Sequence, residues 1–256
     1  SSSVSRCRDF PLAFFLRFFN NHGLLDIKNR PQWYVLAGGS RSYIPKLTRN
    51  IDDIRLNTPV QSVKRFDDYV EMTSHGKTEH FDELIFACHS DQALALLSDA
   101  NDDEKHILGA MPYRNNEVVL HTDTRLLPIR TKAYASWNYW LDSNSNGLPS
   151  VTYNMNILQG LNTNQTFCVS LNQTNNIDPT QILRTFNYAH PVFTRESLAA
   201  QQQRERICGH QHTHFCGAYW YNGFHEDGVN SALDVCQRFG ATLDGDSASL
   251  TQEAVQ

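Results

Sequence analysis

The chain has thirteen glycines in 256 residues, and nowhere are two of them set in G-x-G spacing. It therefore lacks the G-x-G-x-x-G turn that cradles a dinucleotide pyrophosphate, and it has no P-loop and no G-x-S-x-G nucleophile elbow. It also lacks a long apolar run. The most apolar piece, Phe10 to Phe19, is interrupted by Arg17 and is too short to cross a bilayer. The opening residues SSSVSRCRDF have no apolar signal-peptide core. Positive charge is scarce: the net charge is −5 and the isoelectric point about 6.1, which excludes nucleic acid as an expected partner. Cysteine is sparse and scattered, at 7, 88, 168, 208, 216 and 236, with no C-x-x-C pair. A chain of this size does not need disulfides, so the thiols read as reduced and the protein as cytoplasmic.

What is present is an ordinary globular composition, 40% hydrophobic and 19% charged. Pro11 to Asn21 has the spacing of a helix with Phe14, Phe15, Phe18 and Phe19 on one side, ended by a turn at His22-Gly23. Trp33 to Leu36 reads as a short strand leading to Gly38-Gly39 and a short helix toward Leu47, and Ile54 to Thr58 as extended. Val60 to Phe66 and Tyr69 to Thr73 alternate around Asp67-Asp68, which predicts a hairpin. ELIFAC, within Phe81 to Cys88, suits a strand buried on both faces. Helices are expected near 91–97 and 102–108, then strands at 117–121, 133–139, 150–153 and 167–171, with a loop from Leu141 to Pro149. Thr213 to Ala218 reads as a strand and Gly228 to Phe239 as a helix, followed by a small, polar tail expected to be disordered.

The stretch CGHQHTHFCGAYWYNGFHEDGVNSAL, Cys208 to Leu233, concentrates most of the chemistry. Cys208, His210, His212, His214 and Cys216 share parity and would line one face of a strand, about 7 Å apart. A tetrahedral zinc site needs ligands converging on one point from separate elements. One strand cannot supply that, so no metal is expected. The second half of the stretch reads differently: a buried strand passes through a glycine-bearing loop into a helix. The free N–H groups and dipole of such a helix start favour electron-rich ligand atoms. Gly217 and Gly228 would let a flat ligand approach the backbone. Without a ligand, Asp227 would serve as an N-cap.

Eight segments together resemble the flavin-containing amine oxidase superfamily, in particular its bacterial NAD/FAD-binding amine-oxidase-like proteins. They are FLRFFNNHGLL (15–25), RPQWYVLAGGSRSYIPKL (30–47), FDELIFACHSDQALALL (81–97), NNEVVLHTD (115–123), ASWNY (135–139), VTYNMNILQGL (151–161), AHPVF (189–193) and GAYWYNGFHEDGVNSAL (217–233). The resemblance implies an α/β (α+β) fold: a partial Rossmann-like FAD/NAD(P)-binding domain with an inserted, mostly antiparallel substrate domain. Residues 32–97 and 205–240 would belong to the split FAD-binding domain, 1–31 and 98–204 to the substrate domain, and 241–256 to the tail. It implies FAD as cofactor. Val60, Ala87 and Cys88 would lie along the dinucleotide, Gly217 on the last FAD-contacting strand, and Phe224, His225, Glu226, Asp227, Gly228 and Val229 beneath the flavin ring.

Because the family places its G-x-G-x-x-G unit at the N-terminus, the chain is expected to be the C-terminal portion of a longer protein, with an N-terminal dinucleotide-binding segment as its missing partner. The expected reaction is flavin-dependent oxidation of a small organic or lipid substrate. His225, a residue type that titrates near neutrality, and Tyr219 and Trp220 are the catalytic candidates. Trp137, Tyr139, Tyr153, Asn154 and Asn156 are candidates for lining the substrate cavity. Two alternatives stand beside this reading. One is work on unsaturated or cyclopropane fatty acyl chains, with peripheral contact to a membrane, since the family resembles regions fused to cyclopropane fatty acid synthases. The other is a non-catalytic remnant.

Overall fold

The computed structural model describes residues 11–21, 23–28, 32, 34–139 and 150–243. The expected loop 141–149, the tail beyond 243, His22, Trp33 and the side chain of Phe14 lie outside the described residues. In chain order the elements are α1 (Leu12–Asn21), α2 (Ile44–Leu47), β1 (Val60–Arg65), β2 (Val70–Ser74), β3 (Lys77–Phe81), β4 (Leu84–Phe86), α3 (Ser90–Leu96), α4 (Asp102–Gly109) and β5 (Tyr113–His121). They continue with β6 (Trp137–Tyr139), β7 (Val151–Asn154), α5 (Met155–Gln159), β8 (Cys168–Leu171), β9 (Ile182–Pro191), α6 (Arg195–Gln201), β10 (Thr213–Phe215) and α7 (His225–Arg238). The chain divides into two compact units, Ser1–Ile54 with Arg114–His190, and Arg55–Tyr113 with Pro191–Gln256.

The second unit is built on two small sheets. β1 and β2 form the antiparallel hairpin predicted around Asp67-Asp68. A second turn at His75-Gly76, both with positive φ (48° and 71°), adds β3. β4 and β10 pair in parallel, Leu84 to Phe86 against Thr213 to Phe215, with the Phe86 and Phe215 rings stacked at 5.2 Å. Around them Val63, Val70, Ile107, Leu108, Ile207 and Val235 complete one core. α4 starts at Asn101, which caps the Glu104 N–H at 2.9 Å, while the Glu104 carboxylate returns to the Asn101 N–H. That same carboxylate is the buried partner of Arg65. Arg65 also reaches Asp99, so the one deeply buried cation of β1 faces two carboxylates.

The first unit carries a five-stranded antiparallel sheet, in the order β6-β7-β8-β5-β9. Val119, Leu126 and Ile177 form its small core, with Ile182 against it. In α1 the Phe15 and Phe19 rings lie 4.1 Å apart, yet Leu12, Phe15 and Leu16 remain exposed. The expected strand toward Leu36 does not form over Tyr34–Leu36, which are exposed and have no ladder partner. Nor is Ile54–Thr58 extended throughout: Leu56-Asn57 turn, with Asn57 at φ 55°. β3, β9, α5 and α6 are elements the periodicity did not single out.

Candidate active site

The parallel pair fixes the geometry. The Cys216 N–H donates to the Phe86 carbonyl at 2.9 Å, so Ala87-Cys88 and Gly217-Ala218 leave the pair together at its carboxyl end. In parallel sheets this end is where ligands bind, because the following helices point their N-termini there. Here β4 leads to α3 and β10 leads, through seven loop and cap residues after Gly217, to α7. The helix begins at His225 rather than at Gly228, so Asp227 is not the N-cap. Phe224 takes that position, and the Asp227 carboxylate reaches back to its N–H at 2.9 Å. Glu226 and Asp227 in the first turn complement the helix dipole. Gly228 sits one turn inside, where a Cβ would meet nothing nearer than Ala218 Cβ at 4.0 Å. Ala87, Phe224, His225 and Glu226 are exposed, while Cys88, Gly217, Asp227, Gly228 and Val229 are half-buried. Val60 belongs to the other sheet, beside a bulge at Val60/Ser62.

Between Gly217 and the helix the chain makes a tight 3-10 turn, Ala218–Trp220. Tyr219 and Trp220 are each 4% exposed, so they belong to the core rather than to an open wall. Their polar atoms are another matter. Tyr219 Oη, Trp220 Nε1 and the neighbouring Asn222 Oδ1 are all buried with no protein partner among the described residues. Such groups cost about 1–3 kcal/mol each when nothing satisfies them, which makes this short loop an expensive part of the fold. Burial pushes the Tyr219 hydroxyl well above its ordinary range and raises the Cys88 and Cys216 thiols, so all three are neutral at physiological pH.

The residue that holds this loop in place was not legible in the sequence. Arg204, 8% exposed, donates to the Phe215 carbonyl from Nε (3.2 Å) and Nη2 (2.9 Å), to the Ser231 carbonyl (2.8 Å) and to Asp234 (2.6 Å). Its guanidinium lies 5.3 Å from the Trp220 ring centre. Asp234 also accepts from Tyr221 Oη at 2.6 Å. One buried arginine thus joins the end of β10, the 3-10 turn and the middle of α7.

The cysteines and histidines before the loop do not line one face. Gln211 and His212 have positive φ (49° and 59°), and only Thr213–Phe215 is strand. His210 contacts the Glu205 carbonyl, His212 and His214 contact Glu83, and Cys208 Sγ lies 4.0 Å from His214 Nδ1. Among the described residues no three His, Cys, Asp or Glu side chains are grouped to hold a metal.

The candidates in the first unit separate by face. β6 and β7 pair Trp137 with Tyr153 and Tyr139 with Val151, which puts the three aromatics on one side. The Trp137 and Tyr153 rings meet edge-on at 6.0 Å. Asn154 points to the other side, where its side-chain Oδ1 accepts from the Ile157 N–H and caps α5. Asn156 closes the following loop, donating to the Gln165 carbonyl and accepting from the Phe167 N–H. The face that carries Asn154 also holds a sealed polar row: His121 Nε2 is 2.8 Å from Ser170 Oγ, which is 2.7 Å from Thr152 Oγ1. Burial lowers the pKa of His121 and raises that of Cys168 to about 11.

No protein-family model and no curated protein matches the chain. Solved structures do. Cyclohexylamine oxidase from Brevibacterium oxydans IH-35A aligns with a TM-score of 0.58 at 12% identity, over 91% of this chain and 61% of that one. The CLA-producing fatty acid isomerase from P. acnes aligns at 0.55 and 13%, over 79% and 52%. Putrescine oxidase bound to putrescine aligns at 0.51 and 12%, over 79% and 52%. The chain has the fold of these proteins, and the sequence resemblance to the amine oxidases is matched at that level. It spans between about half and three-fifths of their length. No helix among the described residues is long and apolar enough to cross a membrane.

Proposed function

We propose that the chain is part of an FAD-dependent oxidoreductase, with residues 32–97 and 205–240 as the remaining parts of a split Rossmann-like cofactor domain and residues 1–31 and 98–204 as a region resembling its substrate domain. The observation that carries this reading is the loop between Gly217 and α7. It leaves the carboxyl end of a parallel strand pair, enters a fourteen-residue helix, and carries three buried polar atoms without a partner among the described residues. Phe224, His225 and the backbone of 226–229 would hold the flavin ring, and Ala87-Cys88 the neighbouring part of the dinucleotide. FAD, when bound, supplies the acceptor for a hydride equivalent from a substrate C–H. The residues of this chain orient the ring, exclude water through the buried Tyr219 and Trp220, and offer His225 as the group placed to move a proton.

A second reading concerns the substrate. The aromatic face made by Trp137, Tyr139 and Tyr153 suits an apolar acyl chain, and one of the proteins sharing the fold is a fatty acid isomerase. The test is to join the chain to an N-terminal G-x-G-x-x-G unit, load it with FAD and follow bleaching of the oxidised-flavin band under anaerobic conditions. Primary amines and unsaturated or cyclopropane fatty acyl substrates are offered separately. Bleaching by amines supports the amine-oxidase reading. Bleaching or product formation with acyl chains alone supports the second. Loading without response to either leaves a remnant.

A further inference from the structure

The histidines of the Cys208–Cys216 stretch form a device independent of the cofactor reading. Glu83, in the turn between β3 and β4, divides its carboxylate between two rings. Oε1 is 3.2 Å from His212 Nδ1, and Oε2 is 3.0 Å from His214 Nε2. The other nitrogen of His212, Nε2, lies 2.9 Å from the Asp67 carbonyl oxygen at the tip of the β1–β2 hairpin. A carbonyl and a carboxylate oxygen can only accept. A neutral imidazole carries one N–H and would leave one of these two contacts without a proton, whereas an imidazolium carries two and makes both. His212 moreover has φ 59°, a backbone region that few non-glycine residues adopt.

We propose that His212, as an imidazolium between Glu83 and the Asp67 carbonyl, is a pH-sensitive latch that fastens the β1–β2 hairpin to the start of β10 and lets it go as the pH rises.

The charged groups facing the latch agree on its sign. From the hairpin side come the Asp67 carbonyl and the charge of Asp68, and from the β3–β4 turn comes Glu83. On the far side of Glu83, His214 is bordered by Cys208 and by the Phe239 ring at 4.9 Å. Arg238, which borders His214 across Gly209, is engaged by Glu205. The Asp67 carbonyl, and next the Glu83 carboxylate, raise the pKa of His212 above its ordinary value. A raised histidine stabilises the folded form fully below its unfolded pKa of about 6.5, and the contribution is lost as the pH climbs through the folded value.

The test uses the whole chain. The ring of His212 is titrated by NMR, and exchange of the Phe66 amide, which donates to the Tyr69 carbonyl at the hairpin tip, is followed across the same range after correction for intrinsic rates. The Cys216 amide serves as the control. The latch predicts a His212 midpoint above about 6.5, a fall toward that value in Glu83→Gln, and a several-fold loss of Phe66 protection above the midpoint with Cys216 unchanged. It is overturned if wild-type His212 titrates at or below about 6.5, if Glu83→Gln leaves its midpoint in place, or if Phe66 protection does not follow the titration. Should Glu83→Gln fail to fold, the two wild-type measurements decide alone.

Discussion

The ring of Tyr219 fills the space that a Cβ on residue 217 would need: Cε1 lies 2.4 Å from that position and Cδ1 2.7 Å. The strand-to-loop corner is therefore closed to any residue but glycine unless the buried tyrosine moves. Gly217→Ala is expected to push the ring aside, disturb the Gly217 N–H bond to Ser231 Oγ and cost about 1–3 kcal/mol. Chemical denaturation measures the cost. A stability equal to wild type would show that the tyrosine moves freely.

Gly228 should behave in the opposite way. A Cβ there meets only Ala218 Cβ at 4.0 Å, and alanine in a helix interior is favoured over glycine by about 0.5–1 kcal/mol. With the N-terminal G-x-G-x-x-G unit restored, Gly228→Ala should weaken retention of FAD while leaving the melting temperature of the cofactor-free protein equal or slightly higher. Unchanged retention with lowered stability would assign this glycine to packing alone.

Arg204 is expected to be the most sensitive position of the loop. Arg204→Met leaves the Phe215 and Ser231 carbonyls without this donor, at a cost of about 1–3 kcal/mol for each. Asp234→Asn, at a partly exposed position, should cost much less. Equal effects would mean that the ion pair, rather than the carbonyl contacts, holds the corner. A second consequence is spectroscopic. Burial, and next the hydrogen bond to Asp234, raise the Tyr221 pKa to about 12. The tyrosinate absorbance should include a late-titrating step in that range that Asp234→Asn moves to lower pH, leaving the other raised tyrosines in place.

The first unit should be acid-sensitive through Asp123. Its carboxylate accepts from the Arg125 side chain, and from the Asp178 and Arg125 backbone N–H groups at 2.8 and 3.0 Å, which holds it far below the usual carboxylate range. For a depressed carboxyl the stabilisation is present above the unfolded pKa of about 3.9 and lost as the pH falls toward the folded value. Thermal melts of wild type should therefore decline from about pH 4 downward. Asp123→Asn should be destabilised at neutral pH and show a flatter acid limb. Parallel curves would refute the assignment.

What could be read in advance follows from which signals are local. The hairpin around Asp67-Asp68, the parallel strand within ELIFAC and the helix that begins within GFHEDG each announce themselves through alternation, an apolar run or a helix start, although β4 is not buried on both faces as the apolar run suggested, for Ile85 is 47% exposed. The three-residue error at α7 arose because the helix is closed by Asp227 reaching back to Phe224, a bond in which the acid sits inside the first turn instead of before it. β3 and β9 were missed because they are edge strands with mostly exposed side chains, KTEHF among them, and so carry little hydrophobic pattern. Arg204 was invisible for a different reason. Nothing in QRERIC distinguishes an arginine that enters the core from Arg206, which stays exposed, until the carbonyls of Phe215 and Ser231 are in place. The separation of Asn154 from Tyr153 is likewise a matter of strand register.

The most direct test of the account joins the chain to an N-terminal G-x-G-x-x-G unit of the kind it lacks and titrates it with FAD, followed by flavin fluorescence, for wild type beside Gly228→Leu. The account predicts saturable quenching by wild type and its loss in the variant, with the cofactor-free melting temperatures of the two proteins closely matched. Identical quenching curves, or none with either protein, would contradict the assignment of the Gly217-to-α7 loop as the flavin site.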